Sequence, residues 1–252
     1  MSICIWCKKI INNPTREHII PEALGNPVDF MLELCRPCNN NLGHLDQAVI
    51  DQFDIPIFNA GVKRKKGKSP IISNRGNVVG RITSTGPEIH VNMENHNVIS
   101  PDGIKIAPFR GTNRNIKIFV KQDNDNLEIS LEFEMFTNRP KFVRGIYKIG
   151  FSSLAYFLGT EVAICDEFDS IREFVVHGRG AHKILIQPCA DAPYKNEVNL
   201  LPFTSNENEY SVRLRLMCFE FLIDLSPDHS LFPIWLQVSR RLYGDDGWKC
   251  LP

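Results

Sequence analysis

Two C-x-x-C pairs, Cys4-Ile-Trp-Cys7 and Cys35-Arg-Pro-Cys38, constrain the first forty residues of this chain more than any other feature. Each pair places two sulfurs on one side of a short turn. Together they offer the four thiolates that a tetrahedral zinc ion takes at about 2.3 Å. A redox dithiol would need only one pair, in a strand–helix–strand context that these residues do not provide. The other four cysteines, Cys165, Cys189, Cys218 and Cys250, are isolated and are expected to be buried apolar thiols. Thiolate ligands need a reducing compartment, and the first residues hold no apolar run of signal-peptide length, so a cytoplasmic protein is expected. The most apolar long stretch, residues 142–165, is interrupted by Arg144 and Lys148, which argues against a membrane span.

Composition narrows the function classes. The 252 residues are 43% hydrophobic and 23% charged, enough for a folded core and against wholesale disorder. Lys+Arg and Asp+Glu both total 29, so any nucleic-acid surface must be a local patch. One such patch is visible: Lys63, Arg64, Lys65, Lys66 and Lys68 crowd together, followed by Pro70. It reads either as a basic arm that tracks phosphates or as a solvated linker.

The 27 residues between the knuckles exceed the roughly 15–20 of a plain zinc ribbon. They contain Glu17-His18-Ile19-Ile20-Pro21-Glu22-Ala23-Leu24-Gly25-Asn26, and the second knuckle runs directly into Asn39-Asn40-Asn41. This joint pattern resembles the HNH endonucleases, in the branch with a C-x-x-C pair on each side of an E-H-I-I-P-x-x-L-G core. The likeness covers roughly residues 3–50. It implies a ββα-metal fold around one catalytic divalent cation, Mg²⁺ or Mn²⁺, with the Cys4, Cys7, Cys35 and Cys38 zinc purely structural. It also implies His18 as general base and Glu17 and Asn39 as ligands of the catalytic cation. Two positions depart from the commonest pattern. Asn39 stands where many relatives have His, as in HNN-type members, and Asn26 stands where many have a second Gly.

The residue types suit phosphodiester hydrolysis on their own terms. Imidazole, with an ordinary pKa near 6.5, can take a proton from water near neutral pH. A hard cation takes oxygen ligands of the kind Glu17 and Asn39 carry. Strand geometry imposes a condition: neighbouring side chains point to opposite faces, so Glu17 and His18 can serve one site only if the strand bulges or ends there. A helix is expected from about Asn40 to Gln52, with Asn39 at its N-terminus. Asp46, about two turns along the same face, reads either as a supporting carboxylate or as a solvated one.

The whole chain reads as α+β. An N-terminal zinc module of the ββα-metal type (residues 1–60) is expected, then a basic linker (61–75), then a mixed α+β domain with an antiparallel sheet (76–252). Leu127 to Met135 alternates strictly and predicts a strand, as do Glu88 to Met93 and Ile116 to Val120. Phe142 to Leu158 has apolar residues at helical spacing with Gly159 as a stop, and Glu167 to Val176 predicts a second helix. Lys183 to Gln187 and Ser211 to Leu225 predict strands. The expected function is a metal-dependent endonuclease acting on nucleic acid, with DNA as the expected partner and restriction or phage defence as the expected setting. A homodimer is one way for such a site to cut both strands. The competing expectation is a zinc-ribbon module that binds nucleic acid or protein without cutting.

Overall fold

The computed structural model describes residues 2–25, 30–53, 56–57, 139–189, 196–202, 209–243 and 248–252, together with the backbone of four strands between residues 78 and 133. The chain forms two compact units: Met1–Lys66 with Asn138–Pro252, and Gly67–Thr137. The expected domain of residues 76–252 is thus divided between them. The first unit is assembled from both ends of the chain. The basic run from Lys63 to Lys68 lies outside the described residues.

The first unit begins with a hairpin, β1 (Pro14–His18) and β2 (Met31–Cys35), paired antiparallel from Pro14↔Cys35 to His18↔Met31. Helix α1 (Arg36–Ile50) follows β2 without a loop. It starts earlier than expected because Pro37 falls in the first turn, where a missing N–H costs nothing. Asn39 therefore lies at the end of the first turn and not at the N-cap, which is Cys35.

The strands of the second unit are β3 (Val78–Arg81), β4 (Glu88–Val91), β5 (Ile116–Asp123) and β6 (Asn126–Phe133). They form one sheet in the order β4-β3-β5-β6. The expected strands are all present, but β3 and β5 pair in parallel, so this sheet is mixed and not a simple meander.

Back in the first unit, helix α2 (Arg139–Leu158) is stopped by Gly159 at φ 94°. After the single turn α3 (Thr160–Ala163), helix α4 (Asp169–His177) ends on Gly178 in the left-handed conformation. Arg144 donates to the carbonyls of Val175 and Val176, a cation at the carbonyl end of that helix. The antiparallel strands β7 (Ile184–Pro188), β8 (Glu197–Pro202), β9 (Tyr210–Leu216), β10 (Phe219–Asp224) and β11 (Lys249–Leu251) form a sheet in the order β11-β7-β10-β9-β8. The single strand expected over Ser211 to Leu225 is a hairpin. Met217, at φ 55°, turns the chain without the Asn-Gly or Gly signal such turns usually carry. Helix α5 (Leu231–Tyr243) follows the hairpin and had no counterpart in the sequence reading. Of the late cysteines, Cys165 and Cys250 are exposed and Cys189 and Cys218 half-buried, which corrects the expectation of buried thiols. Their lone positions say nothing about depth, and two fall at a helix junction and an edge strand.

The core is shared between the two ends of the chain. Trp6 packs on Phe151, and Phe53 packs on Phe142 and Phe221. Helices α1 and α2 approach closely at Gly145: a Cβ there would lie 2.4 Å from Val49 Cγ2 and 2.9 Å from the Leu45 carbonyl oxygen. Only a glycine lets the two backbones meet in this way.

His182 is buried with Nδ1 unpartnered, its ring against His229 (4.1 Å between centroids) and Phe174 (4.3 Å). Burial, reinforced by His229, pushes its pKa down to about 4. A histidine depressed in the folded state contributes stability that is full above its unfolded value near 6.5 and is lost as pH falls through the folded value. Unfolding free energy should therefore drop by about 2–3 kcal/mol between pH 7 and 4.5 on this account. Urea unfolding of His182→Phe should show most of that slope gone; an equal slope in both proteins would assign the acid sensitivity elsewhere.

Among the described residues, no helix is long and apolar enough to cross a membrane.

Candidate active site

The first knuckle is a miniature hairpin. Ile3 bridges Ile10, the Cys4 N–H donates to the Lys9 carbonyl, and Lys8 turns through φ 56° to donate back to Cys4. The second knuckle uses a strand–helix junction: Cys35 caps α1 in extended geometry and Cys38 lies in the first turn. The hairpin register sets Pro14 opposite Cys35, and the four Sγ atoms gather within 4.8 Å of one another. Cys7 and Cys35 are 3.7 Å apart, close to the roughly 3.8 Å edge of a tetrahedron with 2.3 Å Zn–S bonds. Cys4 is fully buried, and its pKa is pulled down to about 4, mainly by the hydrogen bond from Cys38, whose own thiol the same contact pushes up. The cluster fits a closed, structural zinc site.

The strand after the first knuckle carries the remaining polar groups. Thr15 and Glu17 share a face of β1, two residues apart. Thr15 Oγ1 donates to the Leu34 carbonyl at 3.0 Å and accepts from Asn39 Nδ2 at 3.0 Å. Asn39 is thereby held against the hairpin, with its amide oxygen left for another partner. Glu17 makes a different contact. Its Oε1 accepts from Lys148 Nζ at 2.5 Å, and Asp46 Oδ2 accepts from the same nitrogen at 2.5 Å. The Lys148 side chain is 1% exposed, and those of Glu17 and Asp46 are 15% and 18% exposed. Asp46 Oδ1 is buried without a hydrogen-bond partner, and burial pushes the Asp46 carboxyl up to about 6.

His18 is the last residue of β1, and the chain bends at Ile19 and Ile20. His18 is still paired with Met31, and the strand ends directly after it. The ring keeps to the partly open side, 32% exposed, with Nε2 3.9 Å from Glu22 Oε2. His44 is exposed on α1, with Nδ1 2.8 Å from the Asn41 carbonyl oxygen, a partner within its own helix.

The structure thus gathers the four cysteines and seats Asn39 and Glu17 on one face of the hairpin. It ties Glu17 to Asp46 more directly than to Asn39. Asp46 is a half-buried partner of Lys148, not a solvated carboxylate. In the sequence, Lys148 shows only as a charge that interrupts an apolar stretch. A lysine at a buried position of an apolar helix is the signal that could have flagged it, because a buried ammonium requires carboxylate partners.

As a seat for a hard divalent cation, the group has the right donor chemistry: carboxylate and amide oxygens, one of them orphaned and buried. One feature complicates the fit: the Lys148 ammonium already holds one oxygen of each carboxylate.

The family model for HNH endonuclease matches residues 4–54, from the first knuckle to the end of α1. No curated protein and no solved structure gives a match. The matched segment contains both knuckles, the Glu17-His18 strand and the helix that carries Asn39. Residues 4–54 thus match an HNH endonuclease module, and their two C-x-x-C knuckles fold into one four-thiol cluster.

Proposed function

We propose that the chain is a metal-dependent endonuclease that hydrolyses phosphodiester bonds of nucleic acid, with DNA as its substrate. The observation that carries this reading is the hydrogen bond from Asn39 to Thr15. It keeps an amide oxygen beside the strand that bears Glu17 and His18, as the HNH pattern requires. In this reading His18 Nε2 takes the proton of the attacking water, and its partial exposure gives substrate and solvent access. Glu22, four residues on, would stabilise the imidazolium so formed. Glu17 and Asn39 would hold the divalent cation, Mg²⁺ or Mn²⁺, which supplies charge stabilisation at the phosphate and leaving oxygen. The zinc cluster holds hairpin and helix in register and takes no part in the chemistry. Lys63, Arg64, Lys65, Lys66 and Lys68 would add salt-dependent affinity for the phosphate backbone. A four-thiolate zinc site suits a cytoplasmic setting, where thiols stay reduced. Cutting both strands with one hydrolytic site per chain would take two copies.

A second reading is a zinc module that binds nucleic acid without cutting. The observation in its favour is the Lys148 ammonium on Glu17. The two part in one experiment. Zinc-loaded protein is incubated with supercoiled plasmid, single-stranded DNA and RNA, with and without Mg²⁺ or Mn²⁺, beside His18→Ala. Loss of a general base should slow cleavage about 10²–10⁴-fold while leaving binding intact. Equal binding by both proteins, with no strand cut under any metal, would establish the second reading.

A further inference from the structure

Lys148 comes from α2, outside the matched module, yet its ammonium lies between two acidic residues of that module. The reach has a local cause. Gly145 lets α2 touch the backbone of α1 at Leu45. Lys148 is one turn further along the same face of α2, and Asp46 is next to Leu45. The lysine therefore reaches Asp46 on α1 and Glu17 on β1 together, each at 2.5 Å.

With Asp46 ionised, the cluster carries two negative charges and one positive. Lys148 is almost wholly shielded from water, so solvent screens its charge poorly. Two effects on a cation at Glu17 oppose each other. The ammonium orients the carboxylate, which helps binding by the worth of one charged hydrogen bond, about 10–100-fold. It also repels a divalent ion held by the same carboxylate. At a separation of about 5 Å and an effective dielectric of about 20, that repulsion amounts to roughly 10⁵-fold as an upper bound. Repulsion decides the sign.

We propose that Lys148 sets the affinity of this centre for its divalent cation: its ammonium is a resident monovalent cation on Glu17, against which an incoming metal must bind. The proposal rests on the reading of Glu17 as a metal ligand. It makes the C-terminal part of the unit a determinant of the metal requirement of the N-terminal module. Metal occupancy would respond to anything that moves α2 against α1.

The test is a Mn²⁺ titration of the zinc-loaded full chain, followed by the electron paramagnetic resonance signal of free Mn²⁺, with zinc content and Trp fluorescence confirming the fold. Lys148→Met removes the charge, and Lys148→Gln removes it while keeping a hydrogen-bond donor should the Met variant not fold. Each should bind Mn²⁺ at least tenfold more tightly than the parent. Lys148→Arg, which keeps the charge, should stay within about threefold. Asp46→Asn, which leaves the ammonium to Glu17 alone, should weaken binding at least threefold. Unchanged or weaker binding by folded Lys148→Gln, or unchanged binding by Asp46→Asn, overturns the proposal; if the parent still cleaves with Mn²⁺, the nuclease reading survives. Failure of the parent and of Lys148→Gln alike to bind millimolar Mn²⁺ overturns both.

Discussion

Replacing Cys4 with Ser is expected to release zinc and unfold the N-terminal module. Cys4 is fully buried, and its sulfur lies within 4.8 Å of the other three, so a hydroxyl cannot take its place in the cluster. Apparent binding energies for structural zinc are about 10–16 kcal/mol in small zinc domains, against a total stability of about 5–15 kcal/mol for a typical domain. The hairpin joining the knuckles has five residues per strand, and a two-stranded sheet of that size is at best marginal without support. Metal analysis should find one zinc per parent chain and none in the variant. Trp6, packed on Phe151 of α2, gives a local signal and should shift to an exposed spectrum. A chelator strong enough to strip the parent should reproduce both changes. A variant that keeps a full equivalent of zinc and an unchanged unfolding midpoint would show that the cluster is not what holds the module together.

Phe53→Ala should cost about 3–5 kcal/mol of unfolding free energy, as deleting a buried aromatic usually does. Phe53 lies at the C-terminal limit of the matched segment and is fully buried. Its ring meets Phe142 of α2 and Phe219 and Phe221 of β10, with centroids 6.2–6.3 Å apart. One ring therefore joins the turn after α1 to α2 and the five-stranded sheet. Urea unfolding read by circular dichroism of the whole unit should lose the full amount in a single transition. A loss below about 1 kcal/mol, or a separate early transition for the N-terminal segment, would mean that the module folds on its own.

The parts of the molecule that could be read from the sequence depend on residues close together in the chain. The knuckle spacing needs only a turn and a strand–helix junction to converge four sulfurs. Leu127 to Met135 alternates because one strand has two faces, and α2 shows its helical period within one segment. The Glu17-His18 pair could be singled out because it lies between the knuckles. The two-residue period of strands sets the condition that Glu17 and His18 share a site only where the strand ends or bulges.

Other features required partners that the sequence does not name. Helix α2 and the five-stranded sheet belong to one compact unit with the N-terminal module, and residues 67–137 form a separate unit. The turn at Met217 uses a left-handed residue with no turn signature. Asn39 moved into the helix because Pro37 is accepted in a first turn.

By itself, then, the sequence determined that four thiolates would meet, because that depends on local spacing, and its motifs between and after the knuckles carried the resemblance to HNH endonucleases that the family model matches. Only the tertiary structure decided that Lys148, 131 residues beyond Glu17, would lie against it. A buried charge pair is created by packing, here by the close approach of two helices at Gly145, and packing is settled across the chain and not along it.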